Sequence, residues 1–225
     1  MRRGSDASPS PPHTRVEPLT PGRLDDFLAF FDQRAFANNP RWQFCYCQFL
    51  YVDHAVIDWN RRTADENRAA ACTGVAAGRM QGFLAYRDEA VVGWCNAAPR
   101  PLLAGLDPDP ELIPHIPGAP AAQVGAITCF VVDPAHRRTG IARALLRAAC
   151  EGLRARGMTV AEARPVTHAR TAAQQHSGPL DLYLSEGFVE HRRDETTIVV
   201  RKTLAIQPRR EVTRPRRFGC TSRTG

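Results

Sequence analysis

The segment from Gly125 to Pro134 is the strongest constraint on how this chain of 225 residues can fold. It passes through the apolar run AITCFVV without alternating polar side chains, which is typical of a strand buried on both faces. The following residues repeat apolar side chains at helical spacing until Gly157, a typical helix stop. A buried strand that leads into an amphipathic helix predicts an α/β domain.

The other segments predict a mixed central sheet of about seven strands flanked by helices. Further strands are predicted at 16–19, 82–86, 90–97, 159–163, 188–191 and 196–202, and further helices at 24–35, 63–77 and 180–186. The order is β-α-α-β-β-β-α-β-α-β-β, without internal repeats. We expect one domain over residues 14–206, a disordered tail at 1–13, a flexible basic tail at 207–225 and a long proline-rich loop at 99–122.

The turn between the buried strand and its helix, HRRTGIAR at residues 136–143, is suited to a polyanion. The free N–H groups of a helix N-terminus bind phosphate oxygens, and Gly140 and the small Ala142 allow the backbone to approach closely. Three arginines add positive charge: Arg137, Arg138 and Arg143. The turn lacks the GK[ST] ending of a nucleotide-hydrolase loop and the spaced glycines of a dinucleotide fold.

The arrangement Arg137-x-x-Gly140-x-Ala142, after an apolar strand ending in Asp-Pro, resembles the pyrophosphate-binding motif of the GNAT superfamily of N-acyltransferases. The resemblance covers residues 82–202 and implies a single-domain GNAT-like fold with acetyl-CoA as co-substrate. It implies that two central strands splay apart and that the pantetheine arm lies between them. The backbone implied for pantetheine is that of Phe130, Val131 and Val132. The residues implied for the pyrophosphate are Arg137, Arg138, Thr139, Gly140, Ile141, Ala142 and Arg143.

A second segment matches the same superfamily, Leu182-Tyr183 followed by Gly187-Phe188 at the entry to the next strand. The resemblance implies that Tyr183 protonates the sulfur of CoA as it leaves. A phenol of pKa about 10 can donate to a thiolate whose thiol has a pKa of about 8.5. The alternative interpretation of Tyr183 is a core tyrosine whose hydroxyl has a hydrogen-bond partner.

An amine acceptor must lose a proton before it attacks, so a general base or a water relay is required. Glu162, on the strand after the CoA-binding helix, is our first candidate for that base. Its alternative interpretation is a solvent-facing or salt-bridged carboxylate. Asp133, His168 and His176 are weaker candidates.

Cys45, Tyr46 and Cys47 form a cluster in the aromatic segment 42–54. The cluster has three interpretations: structural packing, a wall of the acceptor site, or, with His54, metal binding or covalent catalysis. On a strand the two cysteines would face the same side, which would suit a pocket wall. Zinc sites usually need four ligands at CxxC-like spacing, so no metal is predicted. The other apolar segments hold cysteines that are read as small buried side chains: Cys95, Cys129 and Cys150.

Together these features predict an N-acetyltransferase that moves an acetyl group from acetyl-CoA to a primary amine on a small-molecule or peptide acceptor. A non-catalytic acyl-CoA-binding or interaction domain of the same fold is the alternative. A third class is a nucleic-acid-binding protein, since the net charge is +7. Most of that charge lies in residues 207–225, which hold six arginines and one glutamate, so a nucleic-acid partner is not expected.

The sequence also bears on the compartment. No apolar run approaches the roughly 20 residues of a membrane helix, and the basic N-terminus has no apolar stretch behind it as a secretion signal would. The seven cysteines show no disulfide spacing. We therefore expect a cytoplasmic protein without a membrane partner, and the sequence is compatible with a homodimer.

Overall fold

A computed structural model of the chain describes residues 14–106, 121–166, 174–193, 195 and 198–204. The strands within these ranges are β1 (Arg15–Pro18), β2 (Gly82–Arg87), β3 (Ala90–Pro99), β4 (Val124–Val132), β5 (Val160–Ala163), β6 (Val189–Arg193) and β7 (Ile198–Thr203). The α-helices are α1 (Leu24–Gln33), α2 (Ala64–Ala76), α3 (Ile141–Ala155) and α4 (Leu180–Ser185). The predicted single α/β fold with a seven-stranded mixed sheet and its element order are confirmed. The predicted tails at 1–13 and 207–225, and residues 107–120 of the predicted loop, lie outside the described residues.

The sheet has the strand order β1-β2-β3-β4-β5-β7-β6. Neighbouring strands are antiparallel except β4 and β5, which are parallel and are joined through α3. Their pairing is short, because it joins Val124–Ile127 only to Val160–Ala163. β5 then ends while β4 continues to Val132, so the two central strands part in the middle of the sheet.

α3 covers one face of the sheet and buries Leu145, Leu146 and Leu153 completely. Glycines allow this close packing. A Cβ at Gly93 in β3 would lie 2.9 Å from Cγ2 of Ile141, and one at Gly152 in α3 would lie 2.2 Å from the ring of Phe83. The predicted amphipathic helix therefore packs with its backbone close to the strands that it covers.

α1 and α2 cover the other face. The aromatic side chains of α1 pack against Trp94 of β3, with ring centroids of Phe27 and Trp94 5.0 Å apart. α2 begins with a capping box, because Thr63 accepts a hydrogen bond from the Glu66 N–H while the Glu66 carboxylate accepts one from the Thr63 N–H. No helix in the described ranges is both long and apolar enough to cross a membrane.

The aromatic segment 42–54 does not form the strand that we used to orient its cysteines. It folds into two short 3-10 helices, Pro40–Cys45 and Phe49–Tyr51, and between them Tyr46 and Cys47 adopt left-handed backbone angles, with φ of 41° and 55°. Left-handed residues cannot continue a strand, so the alternation argument was wrong here.

Candidate active site

A cavity of about 850 Å³ lies where β4 and β5 part. Residues 126–129 of β4 and 162–164 at the end of β5 line one side of it. Aromatic side chains line the opposite side: Phe36, Trp42, Phe44, Phe49 and Trp59. This volume is in the usual range for small-molecule sites.

A β-bulge shapes the wall of the cavity. The register between β3 and β4 shifts at Asn96, so that Thr128 has no direct partner across the ladder. The Thr128 hydroxyl donates to Oδ1 of Asn96 (2.9 Å), and the Asn96 amide donates to the Tyr51 hydroxyl (2.7 Å). Because Asn96 is only 1% exposed, these bonds hold its polar amide rigidly in the cavity wall.

From Thr128 to Val132, the edge of β4 that faces β5 has no strand partner within the described ranges. The predicted pantetheine residues Phe130, Val131 and Val132 lie on this edge. The edge leads from the cavity toward the turn before α3, and at about 3.3 Å per residue it spans roughly 13 Å. Backbone N–H and C=O groups without a strand partner can bind an extended chain, although the segment Gln174–Ser177 also packs against β4.

The predicted pyrophosphate turn has the geometry of an open helix N-terminus. Arg138 and Gly140 adopt left-handed angles, with φ of 62° and 86°. α3 begins at Ile141, and Gly140 supplies no side-chain cap. The first helical hydrogen bond joins the Ala144 N–H to the Gly140 carbonyl (3.0 Å), so the N–H groups of residues 141–143 point out of the helix end.

The three arginines of the turn have different surroundings. Arg137 donates to the Val132 carbonyl (3.1 Å) and to Asn38 (3.2 Å), so it braces the turn against β4. The guanidinium of Arg143 contacts Glu186 (3.3 Å) and Ser185 (3.2 Å) in and after α4. Arg138 is exposed at the turn.

Tyr183 is completely buried, and its hydroxyl donates to the carbonyl of Ser177 (2.7 Å). Ser177 lines the cavity, so the phenol lies directly behind the cavity wall. The Tyr183 ring meets Phe130 edge-on, with centroids 6.3 Å apart. Burial raises the pKa of Tyr183 well above its usual value, which keeps the hydroxyl protonated.

Glu162 reaches the cavity but has two guanidinium partners. One carboxylate oxygen accepts from Arg100 (2.5 Å), and the other accepts from both Nε (2.9 Å) and Nη2 (2.7 Å) of Arg201, its cross-strand neighbour on β7. The carboxylate is 1% exposed. These bonds occupy the lone pairs of the carboxylate. The geometry of Glu162 therefore matches its alternative interpretation, a salt-bridged carboxylate.

The weaker candidates for the base separate in space. Asp133 accepts a hydrogen bond from the Ala135 N–H (3.0 Å), and its other carboxylate oxygen lies 3.2 Å from Nδ1 of His136, so it caps its own turn. His176 lines the cavity and packs edge-on against Trp42, with centroids 5.5 Å apart. His168 lies outside the described residues.

Cys45 and Cys47 both line the cavity, although by way of a left-handed turn and not a strand. Cys129, read from the sequence as a buried core residue, lines it too. Tyr46 is not among the lining residues: its hydroxyl donates to Asp32 (2.5 Å) and its ring stacks on Phe31 in the core, so its predicted place in the acceptor site stays a prediction. No cluster of metal-binding side chains is found within the described ranges.

Sequence reasoning missed several residues that shape the cavity, among them Asn96, Arg100, Thr128 and Arg201. Thr128 carried a signal, since it is the one polar residue in the apolar run that forms β4. Arg100 and Arg201 carried no signal in the sequence, because their role depends on which side chains meet across the folded sheet.

The buried ion pairs predict that Glu162→Gln destabilises the protein. Two guanidinium groups would lose their counter-charge, which costs about 3 kcal/mol of unfolding free energy. Glu190→Gln is the matched control, because Glu190 pairs with Arg193 at an exposed site. Urea unfolding should show a clear loss of unfolding free energy for Glu162→Gln and no change in it for Glu190→Gln. Equal midpoints for both variants would contradict the structural role of Glu162.

Comparison with known proteins places the chain in a family. Residues 40–176 match the model of the acetyltransferase (GNAT) family. No curated protein matches the sequence. The N-acetyltransferase from Staphylococcus aureus Mu50 shares the fold at 16% identity, with a TM-score of 0.50 over 86% of this chain and 99% of that one. The GNAT domain of S. lividans PAT does so at 15% identity, with a TM-score of 0.51 over 85% of this chain and 90% of that one. Because the family match spans more than half of the sequence, the chain belongs to the acetyltransferase (GNAT) family.

Proposed function

We propose that the protein is an N-acetyltransferase that transfers the acetyl group of acetyl-CoA to a primary amine on a small-molecule or peptide acceptor. The observation that carries this proposal is the path traced by β4 and the turn after it, from the cavity at residues 126–129, past an edge without a strand partner in the described ranges, to the open N-terminus of α3. An elongated cofactor with a thioester at one end and a diphosphate at the other fits that path.

The diphosphate binds at the turn before α3. The N–H groups of residues 141–143 and the positive end of the helix dipole stabilise its oxygens. A Cβ at Gly140 would meet no atom within 4 Å, so the backbone of the turn is open on that side. Arg138 contributes the exposed charge, while Arg137 holds the turn in shape.

The pantetheine arm lies along the unpaired edge of β4, where its amides replace the missing strand. Its thioester then enters the cavity beside the bulge at Thr128. The amine attacks the acetyl carbonyl carbon, and the bond from that carbon to the CoA sulfur breaks. Tyr183 donates a proton to the leaving sulfur once its hydroxyl releases the Ser177 carbonyl.

Glu162 remains a candidate for the base in this proposal, but its two arginines favour a different task. By holding Arg100 and Arg201 beside the cavity, the carboxylate fixes the end of β5. The proton of the amine then passes to water in the cavity, which is the second route that the chemistry allows.

The walls of the cavity favour an acceptor with an apolar or aromatic body. Trp59 lies against both Phe44 and Phe49, with centroids 5.4 and 5.1 Å away. Flat apolar walls of this kind stack against aromatic rings.

Non-catalytic binding of an acyl-CoA is the second candidate function, and one observation favours it. Both predicted catalytic side chains, Tyr183 and Glu162, are engaged in hydrogen bonds within the chain itself. A domain of this kind would bind an acyl-CoA without transferring its acyl group, so no free CoA thiol would appear.

We expect Gly140→Glu to weaken CoA binding through charge. Gly140 and Gly157 stand at opposite ends of α3 with φ of 86° and 85°, and a Cβ at either meets no atom within 4 Å, so both glutamate variants carry equal backbone strain. The acid at residue 140 would repel the diphosphate and raise the Kd for CoA by about tenfold. Calorimetry should show an unchanged Kd for CoA in Gly157→Glu. Equal affinities of the two variants for CoA would contradict the diphosphate site.

We expect Tyr183→Phe to slow turnover without weakening cofactor binding. Loss of the proton donor should lower kcat by about 100-fold, measured as CoA thiol released with an amine panel rich in aromatic amines. Tyr86→Phe is the matched control, because it removes a hydroxyl bonded to Asp26, far from the cavity. An unchanged kcat for Tyr183→Phe would remove Tyr183 from the chemistry, and no thiol release with any amine would favour the non-catalytic candidate.

A further inference from the structure

The charged side chains that line the cavity are mostly arginines. Within the described ranges the lining contains one carboxylate, that of Glu162, and three guanidinium groups, those of Arg41, Arg62 and Arg164. The carboxylate is already paired with two other arginines, Arg100 and Arg201. Among the described residues, positive charge therefore exceeds negative charge at the cavity.

Arg62 is held at the cavity wall by a buried amide. Its Nε donates to Oδ1 of Asn67 in α2 (2.9 Å), and Nδ2 of Asn67 donates to the Phe44 carbonyl (2.9 Å). Asn67 is completely buried, so it ties Arg62 to the backbone of an aromatic residue that lines the same cavity. A guanidinium that is fixed in this way loses little side-chain entropy when it binds an anion.

Arg62 forms no ion pair with any residue that the structure describes. Its Nη2 donates to the backbone carbonyl of Glu66 (3.4 Å). The carboxylate of Glu66 instead accepts from the N–H (2.8 Å) and the hydroxyl (3.1 Å) of Thr63 in the capping box. Nη1 of Arg62 has no partner among the same residues, so its two N–H groups are available to a ligand.

The turn that carries Arg62 also supplies an aromatic surface. The Arg62 N–H donates to the Trp59 carbonyl (3.1 Å), and both side chains line the cavity. The Trp59 ring meets Phe49 edge-on and lies against Phe44. A ligand that stacks on this wall therefore has a guanidinium beside it.

We propose that the acceptor carries an anionic group besides its primary amine. The anionic group, a carboxylate or a phosphate-like group, binds at Arg62 while an aromatic or apolar body packs against the wall at Trp59. The amine still attacks acetyl-CoA directly, so the inference deepens the proposed function and rests on it. An acceptor with several positive charges, such as a polyamine, would be repelled by the arginines.

A matched pair of amines tests this inference on the unaltered protein. Aminomethylbenzoate and benzylamine share a ring and a primary amine of similar basicity, and only the first carries a carboxylate. With saturating acetyl-CoA, the kcat/KM for thiol release should be about tenfold higher for aminomethylbenzoate, with the carboxylate tried at each ring position. Aminomethylphenylphosphonate, compared with the same benzylamine, shows whether a phosphate-like group is preferred to a carboxylate, and either preference supports the inference.

Variants assign the preference to Arg62. In Arg62→Gln the KM for aminomethylbenzoate should rise about tenfold, so that the two amines become nearly equal in kcat/KM. Arg62→Lys should recover part of the preference, because it restores the charge without the planar fork. Arg61→Gln is the matched control, since Arg61 is the exposed neighbour and is not a lining residue, and it should keep the full preference.

The outcomes separate this inference from the proposed function. Thiol release that is no faster with either acidic amine than with benzylamine would overturn the inference and leave acetyl transfer standing. A full preference in Arg62→Gln would overturn the assignment of the anionic group to Arg62. No thiol release with any amine, acidic or neutral, would overturn the proposed function and the inference together. The comparison of amines needs no variant, so an Arg62→Gln protein that fails to fold leaves the inference open to contradiction.

Discussion

The parting of β4 from β5 after four residue pairs is the feature on which the rest of the site depends. A central strand normally has both edges paired, because buried backbone N–H and C=O groups need partners. Here α3 packs across β2 and β3 and keeps β4 in the sheet, while the bulge at Thr128 breaks its ladder with β3. One edge of β4 is left to bind something other than a strand, and the cavity opens beside it.

The end of β5 is held by charge where strand pairing stops. Glu162 joins Arg100, just after β3, to Arg201 on β7, so one buried carboxylate ties together the strands on both sides of the gap. The aromatic segment closes the other side of the cavity through ring contacts and two left-handed residues. The cavity is therefore built from elements that lie far apart in the chain.

Local patterns in the sequence predicted the element order, the turn at Gly140 and the position of Tyr183, because periodicity and short motifs act over neighbouring residues. The segment around Cys47 could not be predicted, since 3-10 turns and left-handed residues leave no period. The partners of Glu162 were equally hidden, because they lie 62 and 39 residues away in the chain. Ion pairs of that kind are fixed by the packing of the sheet.

Amide hydrogen exchange with and without acetyl-CoA is the most direct test of the central claim. We predict that the cofactor slows exchange at residues 129–132 and 141–143, because its amides and diphosphate bind these backbone groups. Exchange at the opposite end of α3, near Gly157, should stay the same. Protection that spares the β4 edge and the start of α3, or no protection at all, would contradict the claim that the parted strands bind the cofactor.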